Sequence, residues 1–204
     1  MEFERILNEK KPIQSVCVYC ASSTKVAAHY IATAQNLGRI LAERHIRLID
    51  GAGAVGLMGA INDACLEAGG EVTGVIPNFM IERGWCHPRL TKCIATKDMH
   101  ERKEQMSHSA DALIALPGGI GTMEELLEAL TWKQLGLLPK PIVVLNTNNY
   151  YEPLLQMLER AISDQFMRSI HRKLWTVART PEEAIEQILN AEPWDNSIQK
   201  LAQV

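Results

Sequence analysis

Short apolar runs alternate with longer amphipathic ones along this chain, and that alternation limits the fold more than any other feature. The strand-like runs cover residues 15–20, 46–50, 71–76, 92–95, 112–116, 142–145 and 174–177. Helical patterns lie between them at 26–43, 57–68, 99–110, 123–135, 151–163 and 181–190. Several of the strand runs are apolar on both faces, as parallel strands covered by helices must be. The expected architecture is a doubly wound α/β fold: a mainly parallel sheet of about seven strands with helices on both faces. With 204 residues and no Ser- or Gly-rich linker, the chain is expected to form a single domain over 1–204, with 1–13 and 193–204 peripheral.

The formal net charge of −3 argues against wrapping nucleic acid or lying on an anionic membrane. No apolar run approaches the ~20 residues that span a bilayer, and residues 1–11 lack the apolar centre of a signal peptide. A cytoplasmic protein is expected. Five cysteines form no disulfide framework. Cys17 and Cys20 make a C-x-x-C, but an offset of three in a strand puts them on opposite faces, where one metal cannot take both. Cys86, His87 and Cys93 lack a second paired motif, and no metal site is expected.

In open α/β sheets, ligands bind beyond the carboxyl ends of the strands. Three segments there carry signal. The first is Gly51-Ala52-Gly53-Ala54-Val55-Gly56, a G-x-G-x-x-G spacing between strand and helix. As a dinucleotide fingerprint it would need an acidic residue at the end of the following strand. Glu71 begins that strand instead, which argues against a nicotinamide-dependent oxidoreductase. Two readings stay open: a tight turn with close helix–strand packing, and a backbone approach to a ligand at Gly53.

The second segment is Leu116-Pro117-Gly118-Gly119-Ile120-Gly121-Thr122-Met123-Glu124-Glu125. Glycines before a helix let several N–H groups converge on one anion, and the helix N-terminus adds partial positive charge. There is no G-K-[ST], so a single phosphate suits this loop better than a β,γ-phosphate pair. The spacing Thr122-x-x-Glu125 also reads as a capping box, a role that can coexist with an anion site.

The third segment is Met99-His100-Glu101-Arg102-Lys103-Glu104-Gln105-Met106. At helical periodicity Met99, Arg102, Lys103, Met106 and Ala110 share one side, while Glu101, Glu104 and His108 point away. An inward Arg102 needs a carboxylate partner or an anionic ligand. Lys103, at the margin of that side, is expected to reach back to solvent.

Together these segments resemble the Lonely Guy family, whose members are often labelled lysine decarboxylase-like. Its P-G-G-x-G-T-x-x-E pattern corresponds to Pro117 through Glu125, and its M-H-x-R-K-x-x-M to Met99 through Met106. Gly56-Leu57-Met58-Gly59, the context Leu130-Thr131-Trp132-x-Gln134-Leu135-Gly136 and Tyr150-Tyr151 are similar as well. The resemblance spans about residues 14 to 190. It departs at Asp50-Gly51-Ala52-Gly53, where many members carry a run of glycines after an aromatic or small residue.

The resemblance implies a Rossmann-like fold, usually a homodimer with its active site near the subunit interface. It also implies a phosphoribohydrolase acting on a cytokinin riboside 5′-monophosphate, or AMP, without metal or organic cofactor. Arg102 and Glu125 are the expected catalytic pair. Glu125 would stabilise positive charge on the sugar or activate water. Arg102 would neutralise the phosphate or purine side and hold Glu125 ionised. Gly118, Gly119, Ile120, Gly121 and Thr122 would grip the 5′-phosphate, and Glu124 would contact the ribose hydroxyls. Glu82, Met99, Lys103, Thr131 and Gly53 would complete the substrate shell.

Two other classes compete. A decarboxylase needs a lysine in Schiff-base linkage to pyridoxal phosphate, and no lysine follows a strand in such a context. A non-hydrolytic nucleotide or cofactor carrier of related fold has no need for a carboxylate beside a phosphate. Arg102 together with Glu125 therefore favours the hydrolase.

Overall fold

The computed structural model describes residues 12–194. The segments 1–11 and 195–204, expected to be peripheral, lie outside the described residues. Seven parallel strands form one sheet: β1 (Ser15–Tyr19), β2 (Arg47–Asp50), β3 (Val72–Pro77), β4 (Lys92–Thr96), β5 (Ala112–Ala115), β6 (Ile142–Leu145) and β7 (Thr176–Ala178). Their order across the sheet is β4-β3-β2-β1-β5-β6-β7. Parallel neighbours require crossovers, and the intervening helices supply them. These are α1 (Ala28–Glu43), α2 (Gly56–Glu67), α3 (Asn78–Glu82), α4 (Met99–Ser109), α5 (Ile120–Gln134), α6 (Glu152–Ser163) and α7 (Pro181–Asn190).

Two hydrophobic cores lie on the two faces of the sheet. Val16, Val18, Leu48, Ile114 and Val143 pack with residues of α1, α2 and α7, including Leu37, Ile61 and Ile185. The alternate residues Cys17, Tyr19, Ile49, Leu113 and Val144 pack with Met106 of α4, Leu126 and Leu130 of α5, and Ile162 of α6. Cys20 belongs to the first core and Cys17 to the second, so the C-x-x-C is split across the sheet as its offset requires. All five cysteines are free thiols.

The expected strands and helices are all present, with three differences. The last strand begins at Thr176, because Ser169–Leu174 winds into a 3₁₀ segment. The short α3 has too few residues for a helical period to register. Helix α5 begins three residues earlier than expected, at Ile120 rather than Met123. That last difference matters for the site. Strand order reverses between β1 and β5, the position where open α/β sheets form a ligand crevice. The glycine loop leading into α5 leaves the carboxyl end of β5 at that point.

Candidate active site

The capping box is not formed. The N-cap of α5 is Gly119, with no side-chain cap, and Thr122 is the third residue of the helix. The first intrahelical bond runs from the Met123 N–H to the Gly119 carbonyl, 3.0 Å. The backbone N–H groups of Ile120, Gly121 and Thr122 therefore precede the helical ladder, as the first N–H groups of any helix do. Thr122 is buried and lies against Gly118, where a Cβ would fall 2.1 Å from its Oγ1. Gly118 is thus fixed as glycine by packing. At Gly119 and Gly121 a Cβ would meet nothing within 4 Å, so the loop is open on that side. Ile120 is exposed there. An uncapped helix N-terminus with open space beside it is suited to an anion.

Two tyrosines hold this loop from behind. The Tyr150 hydroxyl donates to the Gly118 carbonyl and the Tyr151 hydroxyl to the Leu116 carbonyl, each at 2.6 Å. Asn146 accepts from the Tyr151 N–H at 2.7 Å, which ties both rings to the end of β6.

Helix α4 turns its Arg102 side inward as expected: Arg102, Lys103, Met106 and Ser107 are buried, while Glu104 and His108 are exposed. The Asp98 side chain caps the helix by accepting from the Glu101 N–H at 2.9 Å. Arg102 is held by main-chain carbonyls. Its Nε donates to Val75 at the middle of β3 and its Nη2 to Gly51 beyond β2, both at 3.1 Å. A Cβ at Gly51 would lie 1.8 Å from Nη2, so only glycine leaves room for the guanidinium. Nη1 remains, 3.8 Å from the Met99 sulfur and 3.9 Å from Glu125 Oε1.

Glu125 is buried on α5. Burial pushes its carboxyl up to about 7. The Arg102 charge opposes that rise, Glu124 adds to it, Lys103 opposes it and Asp50 adds to it. Arg102 favours the ionised form of Glu125, as expected, but burial acts more strongly in the other direction. The guanidinium is already committed to two carbonyls and sits beyond hydrogen-bond reach, so desolvation outweighs its attraction.

Lys103 does not reach back to solvent. It is buried, and its ammonium pairs with Glu124 and, at 3.1 Å, with Glu128. These two carboxylates, one helical turn apart on α5, raise the Lys103 pKa against the effect of burial. Glu124, expected at the ribose, is the exposed end of this bridge. Glu128 leaves no signal in the sequence, since only the docking of α4 on α5 brings it to Lys103.

Other expected residues stand apart. Thr131 is exposed and its hydroxyl donates to the Leu127 carbonyl of its own helix, 2.8 Å. It lies ~9 Å along the helix from Glu125. Glu82 is exposed at the end of α3. It is beside Phe79, Ile81 and Trp85, large apolar groups that are also exposed. Gly53 is occupied within its own loop. Its N–H faces the Met58 sulfur at 2.9 Å, its carbonyl accepts from Asn62 at 3.4 Å, and it bridges to Cys86. Cys86 and Cys93 bring their sulfurs to 3.7 Å, while the His87 ring is turned to Asp63 at 3.1 Å.

Residues 58–188 match a family model described as "Possible lysine decarboxylase". The chain is 42% identical over 178 residues to a probable cytokinin riboside 5′-monophosphate phosphoribohydrolase of Oryza sativa subsp. japonica, covering 87% of this chain and 73% of that one. It is 40% identical over 184 residues to a cytokinin riboside 5′-monophosphate phosphoribohydrolase of Arabidopsis thaliana, covering 90% and 85%. Among solved structures, the molybdenum cofactor carrier protein of Chlamydomonas reinhardtii superposes with a TM-score of 0.65 at 24% identity, covering 88% of this chain and 96% of that one. The molybdenum cofactor binding protein of Rippkaea orientalis gives 0.64 at 24% identity, with the same coverage. At that identity the likeness is one of fold.

Proposed function

Because the chain belongs to the family of cytokinin riboside 5′-monophosphate phosphoribohydrolases, we propose that it cleaves the N-glycosidic bond of such a nucleotide, with AMP as a second substrate, to free base and ribose 5-phosphate. The observation that carries the reading is the buried Arg102–Glu125 pair next to the uncapped N-terminus of α5.

The 5′-phosphate takes the open N–H groups of Ile120, Gly121 and Thr122. Binding energy from this non-reacting group positions the sugar. Breaking the C1′–N bond builds positive charge on the ribose, and water must attack its far face. Glu125, in its ionised form, offsets that charge, takes a proton from the water as its oxygen bonds to C1′, and returns that proton to the departing base nitrogen. A carboxyl that titrates near 7 is matched to proton transfer at neutral pH. Nη1 of Arg102, between the Met99 sulfur and Glu125, orients the nucleotide. Lys103 sets Glu124 toward the ribose. Glu82 and Thr131 reach the substrate from outside the glycine loop, at the edge of a subunit interface.

A homodimer is the proposed assembly, supported by the exposed Phe79, Ile81 and Trp85 around Glu82. A cytoplasmic location is proposed from the five free thiols. Among the described residues no helix is long and apolar enough to cross a membrane.

The test is base release from isopentenyladenosine monophosphate and AMP, with the matching nucleosides as controls, in wild type, Glu125→Gln and Arg102→Ala. Release from the monophosphates alone, lost in both variants, supports the reading. Tight nucleotide binding without any base release sinks it and points to a carrier.

A further inference from the structure

Cys86 and Cys93 take no part in the chemistry proposed above, yet their sulfurs stand 3.7 Å apart in a thiol–thiol contact. That is within about 2 Å of bonding distance, a gap small enough for side-chain rotation to close. Cys93 is exposed on β4 and Cys86 is half-buried in the loop between α3 and β4, whereas Cys17, Cys20 and Cys65 are buried in the two cores. An oxidant therefore reaches Cys93 first.

Each thiol also sits on a segment that braces Arg102. Cys86 forms a backbone bridge to Gly53, and the next N–H, that of His87, donates to the Ala52 carbonyl at 2.8 Å. The same turn presents the Gly51 carbonyl to Arg102 Nη2. Cys93 is paired with Gly74 of β3, and the following residue of β3, Val75, supplies the carbonyl that takes Arg102 Nε. The turn rests directly on that strand: a Cβ at Gly74 would fall 2.5 Å from the Ala52 Cβ and 2.5 Å from Leu90 Cδ1. Strand β4 is at the edge of the sheet, where local opening begins.

We propose that Cys86 and Cys93 form a redox-active dithiol, a modification site for hydrogen peroxide, and that the disulfide staples β4 to the loop that braces the Gly51–Gly53 turn. The Cys93 thiolate attacks one peroxide oxygen; the O–O bond breaks, Cys93 becomes a sulfenic acid and the other oxygen leaves as water. Cys86, losing its proton, attacks the Cys93 sulfur; the S–S bond forms, the S–O bond breaks and the hydroxyl leaves with a proton as a second water. Each sulfur gives up one electron and peroxide takes both. Burial and the Cys93 contact push the Cys86 thiol up to about 11, which suits it to the second, resolving role.

Formation of the disulfide is independent of the hydrolase reading; only its effect on base release rests on that reading. Full-length wild type, Cys86→Ser and Cys93→Ser are treated with hydrogen peroxide. Remaining thiols are then blocked and linked peptides mapped by mass spectrometry. Thermal melts are recorded before oxidation, after it, and after reduction with dithiothreitol. Base release is timed at ordinary temperature and during incubation just below the melt.

The expected result is one intramolecular Cys86–Cys93 link in wild type, with two of the five thiols lost and both restored by dithiothreitol. Oxidation should raise the wild-type melting temperature by about 3 °C or more and shift neither variant. Oxidised wild type should keep kcat/KM within about twofold and lose activity on heating at least about threefold more slowly. Thiols that stay free, links between chains, or Cys93 halted as a sulfinic acid would overturn the proposal. So would a link that leaves the melt unchanged or lowers kcat/KM further than that. If wild type releases no base, the hydrolase reading fails, while peptide mapping and the melts still decide the dithiol.

Discussion

Arg102 Nη1 and Glu125 Oε1 stand 3.9 Å apart, close enough for their charges to interact and too far to share a hydrogen bond. The guanidinium is anchored instead by the Val75 and Gly51 carbonyls. The position of the guanidinium is therefore set by main-chain carbonyls and not by a hydrogen bond to Glu125.

The acid limb of kcat/KM is expected near pH 7, because the proposed mechanism uses the ionised form of Glu125 and its carboxyl is raised to about 7. Activity should climb as pH rises through that value. A profile flat from pH 5 to 8 in steady-state base release would remove Glu125 from the role of base.

Stability should run the other way. A carboxyl whose folded pKa lies above its unfolded value binds more protons in the native state, so its ionisation destabilises the fold as pH rises between the two. For Glu125 the window is from the ordinary glutamate value of 4.5 to about 7. Glu125→Gln should thus gain on the order of 2 kcal/mol at pH 8 relative to wild type, and much less at pH 5. Thermal melts at the two pH values check this.

Gly51→Ala and Gly119→Ala should separate positioning from phosphate binding. The first puts a methyl group into the Arg102 guanidinium and is expected to cut kcat/KM more than about tenfold. The second meets open space within the protein, so its cost should appear mainly in KM for the monophosphate. Equal effects of the two on kcat would contradict this division.

Tyr151→Phe leaves the buried Leu116 carbonyl without its 2.6 Å donor. A loss of about 1–2 kcal/mol in denaturant unfolding is expected. Tyr150 is more exposed, and Tyr150→Phe should cost less stability while loosening Gly118 and raising KM.

Periodicity made the sheet, its parallel sense and the inward turn of Arg102 legible, because each is written locally in the chain. The start of α5 is masked by an equally local feature: Thr122 and Glu125 have capping-box spacing, but Thr122 packs on Gly118 as the third residue of a helix that begins at Ile120. The rest is non-local. Lys103 looked marginal until α4 met Glu124 and Glu128 of α5. Asp50 registers only as a departure from the glycine run, and its hydrogen bond to the Ala52 N–H and its full burial leave no signal in the sequence. The titration of Glu125 depends on desolvation by neighbours from several elements, which no spacing reports.

The tyrosine clamp on the glycine loop also sets an order of assembly. During synthesis the N-terminal portion emerges first, so β1, β2 and β3 can associate while β5 is still unmade. The loop after β5 then forms without its support, because Tyr150 and Tyr151 follow β6 and arrive some thirty residues later. A nascent chain ending before β6 would carry Arg102, Glu125 and every glycine of the loop, yet lack the groups that hold the loop backbone in place. The residues of the proposed site are thus all made well before the site is rigid, and competence should appear only once the sheet has grown past β6.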